Sequence, residues 1–287
     1  MAGSTSAIFE NVRARYFVIA WLVLPFYLPG VGHFFWFLGI SVPDYSWGLA
    51  YVLYSQLVLA AVIVLTAVLP KRLPIRKMIG GEPPIRDLLS GLILTAYLYI
   101  LALPAAYILF LPLSYWIPDF VQYWYINLGD LVYFDDDKFS LTINLLSIIS
   151  LCVFAPLIEE FAFRGVLLHR WAYKYGLKSA VIASSLVFAA VHADPLGAFF
   201  FGIGMCVLYL RTQSLILPIV CHGVYNLVVW LIELGYKLEF GFDYLYTLEH
   251  FQNEWPIALT AFVVVVVWTT VYFKRARPDV AWRLPIT

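Results

Sequence analysis

The sequence is short of charge. Only 13 % of its 287 residues are Asp, Glu, Lys or Arg, whereas roughly a quarter of the residues of a typical soluble domain are charged. Apolar residues make up 63 % of the chain, and the mean hydropathy is +0.85. These proportions exclude an ordinary water-soluble domain and indicate that lipid solvates much of the chain.

Net charge and functional cysteine patterns are also missing. Lys and Arg balance Asp and Glu at 18 each, and no basic tail is present, so we predict no nucleic-acid partner. The three cysteines lie inside apolar runs, without the spacing of a disulfide framework or a zinc motif. The sequence contains no H-E-x-x-H, C-x-x-C or G-x-S-x-G pattern that would require a metal or a covalent nucleophile.

What the chain does have is a series of apolar runs, most of them long enough to cross a bilayer, which takes about 20 residues. They are Leu- and Ala-rich and lack the period-two alternation of membrane strands. The sequence therefore predicts one all-α integral-membrane domain, 1–287, a bundle of about eight transmembrane helices. The short fifth and sixth runs form either a tight hairpin or a re-entrant pair. The runs are 16–40, 47–69, 88–116, 139–168, 180–191, 196–210, 215–232 and 256–273.

The basic residues fall mainly on one side of these runs. Of the 18 Lys and Arg residues, fifteen lie in termini and loops that alternating spans place together, and only Lys138 and Lys237 lie in the opposite loops. By the positive-inside rule we expect a multi-pass protein of the cell (inner) membrane with both termini in the cytoplasm.

Few ionisable residues interrupt the apolar runs, and placing each of them in the bilayer costs free energy. At bilayer depth a charged residue costs about 2.5–3.5 kcal/mol even on lenient scales, which marks it as a candidate for function. Glu160 and Arg164 have the i, i+4 spacing of a helical ion pair, so we expect them to play a supporting role. Glu159 lies on the same helix, points about 100° away from Glu160 and has no such partner. His192 and His222 are the other two candidates.

Helix geometry brings these candidates to one level. Glu159 and His192 are equally far in sequence from a predicted turn at 175–176, so two antiparallel helices would place them at the same depth. His222 and Asn226 share one face of a later helix, at an overlapping depth. Phe188 lies one turn before His192 and could wall the pocket.

A carboxylate, two imidazoles and an amide at one depth favour hydrolysis. Glu159 and His192 would hold and deprotonate a water, while His222 and Asn226 would stabilise the developing oxyanion. Glu159, His192 and His222 could instead form a zinc shell in which the metal activates the water. The residues alone leave both chemistries open.

Three segments of the chain together resemble the CAAX-protease and bacteriocin-processing family, which includes the CAAX prenyl proteases of the Ras-converting-enzyme type. They match the family motifs EExxxR, FxxxH and HxxxN in order, inside apolar helices. The resemblance covers about 139–232, and 1–116 matches only as additional membrane spans. The matching segments are Glu159-Glu160-Phe161-Ala162-Phe163-Arg164, Phe188-Ala189-Ala190-Val191-His192 and His222-Gly223-Val224-Tyr225-Asn226.

The resemblance implies an intramembrane endopeptidase with its catalytic core in 139–232 and a cavity open toward the cytoplasm. It assigns the catalytic glutamate to Glu159, the water-activating histidine to His192, and the oxyanion side to His222 and Asn226. It favours a glutamate-dependent, metal-free mechanism and implies a peptide or protein substrate, including membrane-anchored or lipidated ones.

Two other function classes fit the same residues. A non-catalytic membrane scaffold or bacteriocin-immunity protein could use the buried polar cluster only to fix helix packing. An ion-coupled transporter could use it as a relay, although the sequence shows no inverted repeat of the kind common in transporters.

Overall fold

A computed structural model describes residues 7–10, 12–23, 29–69, 73–242, 244–275 and 284. Almost all of these residues are helical. The helices are α1 Ala7–Glu10, α2 Ala14–Val23, α3 Pro29–Phe37, α4 Trp47–Ile63, α5 Ile75–Ile79, α6 Ile85–Trp116, α7 Pro118–Val121, α8 Leu141–Ile149, α9 Ala155–Glu160, α10 Leu168–Tyr175, α11 Leu177–Ala190, α12 Pro195–Thr212, α13 Ile216–Phe240, α14 Leu248–Asn253 and α15 Trp255–Arg275. A 3₁₀ turn covers Asp44–Ser46, and π-helical turns cover Val64–Val68, Gln122–Ile126, Ser150–Phe154 and Phe161–Leu167.

The predicted polytopic helical bundle is confirmed, with fewer full-length spans than expected. Within the described residues, six helices are long and apolar enough to cross a membrane. The first predicted run, 16–40, is divided between α2 and α3, and its residues 24–28 lie outside the described ranges. The fifth run forms α11, whose 14 residues extend only about 21 Å at about 1.5 Å per residue.

One unbroken helical stretch carries the first motif. It runs over Leu141–Tyr175 and consists of α8, α9 and α10 joined by two π turns; we call it the motif helix. It ends at Gly176, whose φ of +83° is a backbone conformation that glycine adopts without steric cost. The chain reverses there into α11, so the turn expected at 175–176 is present.

The fifth and sixth runs form the tight hairpin that was one of the two expected alternatives. α11 rises from Gly176, the chain turns at 191–194, and α12 returns. Asp194 caps α12, because its carboxylate accepts a 3.0 Å hydrogen bond from the Gly197 N–H. Pro195 occupies the first turn of α12, where the absence of an N–H costs nothing. The tip of this hairpin is therefore a fixed structure.

The helices pack around α12, which contacts α6, α11 and α13, while α15 packs on α6 and α4 on the motif helix. The bundle has two distinct ends. The basic end contains the turn at Gly176 and the turn at 213–215, whose Leu215 N–H donates to the Ile79 carbonyl. The opposite end contains a β hairpin of two short strands, β1 Phe134–Asp135 and β2 Lys138–Phe139, paired antiparallel. We call it the hairpin end, after these strands and not after the α11–α12 hairpin.

Candidate active site

The ion pair expected within the first motif is present and fully buried. Arg164 Nη1 donates to Glu160 Oε1 at 3.0 Å, and both side chains are at most 1 % exposed. Arg164 Nη2 donates to the Gly202 carbonyl at 3.1 Å, and the guanidinium lies 4.7 Å over the Phe188 ring. Arg164 thus links the motif helix to both helices of the hairpin. A buried charge is tolerable when it is paired and hydrogen-bonded in this way.

His222 makes a contact that the spacing of the motifs did not predict. Its Nδ1 lies 2.9 Å from Glu160 Oε1, the oxygen that also accepts from Arg164. Because an ionised carboxylate only accepts hydrogen bonds, Nδ1 carries the proton. The other ring nitrogen, Nε2, then faces Glu159 Oε2 at 4.0 Å. Glu160 therefore orients His222 as well as balancing Arg164.

Glu159 and His192 meet at the level that helix geometry predicted. His192 Nε2 lies 3.8 Å from Glu159 Oε2, and His192 Nδ1 is 2.6 Å from the Phe188 carbonyl. The carbonyl requires a donor, so Nδ1 carries the proton and Nε2 presents a lone pair. Glu159 Oε2 is buried and has no hydrogen-bond partner among the described residues. At 3.8 Å the two atoms are too far apart for a direct hydrogen bond but can share one water between them.

Aromatic rings hold the two histidines in place. Phe188 stacks on His192 with ring centroids 4.2 Å apart, and Phe201 meets the edge of His222 at 4.9 Å. Phe188 is 2 % exposed, so it lies in the wall of the site, at the position predicted for it. Because the imidazoles have packed neighbours as well as hydrogen bonds, their orientations are fixed before a substrate arrives.

Asn226 is anchored to the motif helix. Its Nδ2 donates to the Leu151 carbonyl at 2.7 Å, which lies in the π turn Ser150–Phe154. In a π pattern the donor to Leu151 would be the N–H of residue 156, but that residue is Pro156. Asn226 supplies the missing donor, and its second N–H remains available on the cavity side.

Gly223 allows α13 to approach the motif helix. A Cβ at this position would come within 2.4 Å of the Cys152 carbonyl oxygen, a distance that no side chain can accept. The absence of a side chain therefore lets His222 reach Glu160 and lets Asn226 reach Leu151. Glycine between these two residues follows from helix–helix contact and needs no role in chemistry.

A cavity of about 350 Å³ opens beside these residues. The motif helix, the hairpin tip and α13 contribute Glu159, His192, His222 and Asn226. The opposite wall is α4, from the first part of the chain, and Leu131 contributes from the loop before β1. The α4 residues that line the cavity are Tyr51, Val52, Ser55, Gln56 and Leu59.

The α4 wall is the part of the site that sequence reasoning missed. Gln56 Nε2 donates to the Ser150 carbonyl at 3.2 Å, and Ser150 Oγ donates to Gln56 Oε1 at 3.1 Å. The residues predicted from sequence are mainly ionisable groups, and the uncharged amide of Gln56 in the second apolar run is not among them. A polar side chain inside an apolar run was the signal that could have identified it.

A second cavity of about 210 Å³ lies on the other side of the histidines and shares His192, His222 and Asn226 with the first. Phe201, Tyr225 and Asp194 line it as well. Three of the four candidate residues thus line both cavities, and Glu159 lines the first.

The zinc alternative involves Glu159, His192 and His222, which face one another. Among the described residues, no group of three or more His, Cys, Asp and Glu side chains is arranged to hold a metal ion. The contact of His222 Nδ1 with Glu160 does not itself oppose a metal, because a metal-ligating histidine commonly donates its other ring nitrogen to a carboxylate. The same orientation of His222 suits a site that holds water directly.

Comparison with known protein families shows a match over one segment of the chain. Residues 141–228 match the family model described as "Type II CAAX prenyl endopeptidase Rce1-like". This segment contains all three motifs, so the resemblance predicted from them is confirmed. Comparisons with curated proteins and with solved structures gave no match.

Proposed function

We propose, proceeding from this Rce1-like segment in an integral membrane protein, that the chain is an intramembrane endopeptidase in which Glu159 and His192 activate water. The family match supports a CAAX-type membrane protease in general. The assignment of individual residues rests on the geometry of the site. Its substrate is a peptide or protein segment, and membrane-anchored or lipidated proteins are the candidates.

A water bridging the 3.8 Å gap between Glu159 Oε2 and His192 Nε2 would donate one hydrogen bond to each. Both atoms are acceptors, so the lone pairs of the water oxygen face the open cavity, where a peptide carbonyl would lie. Glu159 takes a proton as the water attacks the carbonyl carbon and later delivers it to the leaving amine nitrogen. Water and peptide thus give one carboxylic acid and one amine.

His222 and Asn226 are suited to the oxygen that becomes negative during this attack. Because His222 Nδ1–H is used on Glu160, an Nε2–H donor to the oxyanion requires a ring that carries both protons. Asn226 provides its second N–H from the same face of α13. Donors held in place before the reaction stabilise an oxyanion without reorganisation, and losing one typically costs about 10²–10³ in rate.

The observation that carries the proposal is the unpartnered Glu159 oxygen facing a histidine lone pair across a gap that fits one water. Glu160 differs from Glu159 in that its Oε1 accepts from both Arg164 and His222, although its Oε2 is also buried without a partner among the described residues. What separates Glu159 is that its unpartnered oxygen lines the cavity and faces His192.

The proposal is tested by comparing the peptide termini of membrane proteins in cells that produce wild type, Glu159→Gln or His192→Ala. We expect new termini with wild type only, because Glu159→Gln removes the base that takes the proton and His192→Ala removes one of the two acceptors that hold the water. Glu239→Gln, at an exposed glutamate, is the matched control and should behave as wild type. Termini retained in the correctly inserted Glu159→Gln variant would instead favour the scaffold or immunity alternative.

The charge distribution completes the proposal. By sequence, fifteen of the 18 basic residues lie in the termini and in the loops that alternating spans place on the same side as the turns at Gly176 and 213–215. We therefore place the basic end and both termini in the cytoplasm, and the protein in the cell (inner) membrane.

A further inference from the structure

The catalytic cavity runs toward the hairpin end of the bundle. Apart from Val191 and His192 at the α11–α12 tip and Leu131 before β1, its lining residues lie on three helices, at the catalytic level or on its hairpin-end side. On α13 they extend from His222 to Val229, on the motif helix from Glu159 back to Leu151, and on α4 from Leu59 back to Tyr51. Each series covers eight or nine residues, a length of about 10–12 Å at about 1.5 Å per residue.

The basic-end side of the catalytic residues is closed. Every residue of the motif helix from Ala162 to Leu168 is buried, and Met205, Tyr209 and Leu215 are fully buried at the same levels of the neighbouring helices. Their large side chains form a packed layer between the site and the turn at Gly176. A packed interior of this kind leaves no voids wide enough for a peptide.

Exposure rises on the opposite side. His192 is 34 % exposed and Glu159 is 20 % exposed, and Val191, at the tip of the α11–α12 hairpin, is half-buried. The short hairpin stops at the catalytic level, so no helix of its own continues beyond it. The chain before β1 covers this region, with Trp124 Nε1 donating to the Ala193 carbonyl at 3.1 Å.

The loop at the mouth of the cavity is anchored at Leu131, through both the N–H and the carbonyl of that residue. The Leu131 and Val132 N–H groups donate to Glu233 Oε1 at 2.9 and 3.0 Å. Ser147 Oγ and Trp230 Nε1 donate to the Leu131 carbonyl at 2.6 and 2.9 Å. Leu131 is thereby held as a fixed rim beside the α4 wall, so the opening exists without a movement of this loop.

We infer that substrate reaches the catalytic residues from the hairpin end, the side with few basic residues, and therefore from the extracytoplasmic face. The occupant, which rests on the proposed function, is a peptide segment of a secreted or membrane-anchored protein on that face. Such a segment would lie along α4 and pass Leu131 to reach Glu159. The family resemblance implies a cavity open toward the cytoplasm. In this structure the cavity opens away from the basic end, so a cytoplasmic basic end places the opening on the extracytoplasmic face.

Single cysteines report the direction of access without requiring proteolysis. In a chain with Cys152, Cys206 and Cys221 replaced by alanine, Ser55→Cys and Val229→Cys place a thiol in the cavity. Asp135→Cys and Ser179→Cys mark the hairpin end and the basic end at exposed positions. A membrane-impermeant maleimide is added to spheroplasts or to inverted membrane vesicles of the expression host.

We expect the impermeant maleimide to label Ser55→Cys, Val229→Cys and Asp135→Cys in spheroplasts, and Ser179→Cys only in inverted vesicles. Cavity thiols that label together with Ser179→Cys would overturn the inference, as would cavity thiols that react only with a lipid-soluble maleimide. Asp135→Cys labelled only in inverted vesicles would reverse the orientation and overturn the extracytoplasmic assignment. None of these outcomes depends on catalysis, so failure of the protease proposal would be seen separately, in the peptide-terminus comparison.

Discussion

At the scale of single residues, adjacent glutamates have opposite fates. Glu160 is fully buried and accepts from Arg164 and His222, whereas Glu159 is partly exposed and its Oε2 has no partner among the described residues. Consecutive helical positions point about 100° apart, so one carboxylate faces the core and the other the cavity. This division could be predicted from sequence because it depends only on helix geometry. The contact between Glu160 and His222 could not, because it joins helices 62 residues apart.

Replacing Gly223 by alanine should separate α13 from the motif helix. The added Cβ would meet the Cys152 carbonyl oxygen at 2.4 Å, so the helices must move apart and both His222 and Asn226 lose their contacts. We expect a loss of about 1–3 kcal/mol in unfolding free energy and about 100-fold or more in cleavage rate. Thermal unfolding in detergent and the cleavage assay measure these two effects.

Gly235 provides the matched control on the same helix. A Cβ there would have no neighbour within 4 Å, and alanine is favoured over glycine in a helix by about 1 kcal/mol. Gly235→Ala should therefore be as stable and active as wild type, or slightly more stable. Equal behaviour of the two variants would show that close helix approach at Gly223 is not what positions the site.

At the scale of elements, π turns distort the motif helix on either side of the two glutamates. Pro156 has no N–H, and the π turn at Ser150–Phe154 directly precedes it. Side chains from other helices bind the carbonyls there: Asn226 binds the Leu151 carbonyl, and Gln56 binds the Ser150 carbonyl, which also accepts from the Ala155 N–H. Periodicity predicted the helix, but its irregular hydrogen bonding depends on partners distant in sequence.

Substituting Pro156 by alanine restores an N–H that can bond within the helix. If regular α-helical bonding resumes, Asn226 loses its acceptor and Glu159 rotates relative to His192. We expect a folded, inserted protein whose cleavage rate falls by about 100-fold. Pro112→Ala, at an exposed helical proline in α6, should leave the rate unchanged. Full activity in the Pro156→Ala variant would mean that the π turn does not place Glu159.

At the scale of the whole molecule, the site needs more than the segment with the motifs. The Rce1-like match covers residues 141–228, yet α4 forms one wall of the cavity and α6 packs against both α12 and α13. The sequence predicted only additional spans for 1–116, because almost no ionisable residue interrupts their apolar runs and the three motifs lie outside them. The structure instead makes α4 part of the surface that a substrate would contact.

Division of the chain at the β hairpin tests this dependence. The turn at Asp136 and Asp137 is exposed, and exposed turns tolerate a break in the chain. We expect a fragment of residues 137–287 to show no cleavage, although it contains all three motifs. Co-production of residues 1–136 as a separate chain should restore it. Cleavage by 137–287 alone would show that α4 is dispensable.

The sequence by itself determined the solvent, the helical class, the Glu160–Arg164 pair and the common level of Glu159 and His192. Each of these depends on composition or on the fixed rise and rotation of a helix, which are local properties. Only the tertiary structure decided that His222 binds Glu160, that α4 closes the site, and that the cavity runs toward the hairpin end. Those features arise from how helices pack side by side, and the packing depends on side-chain shapes far apart in the chain.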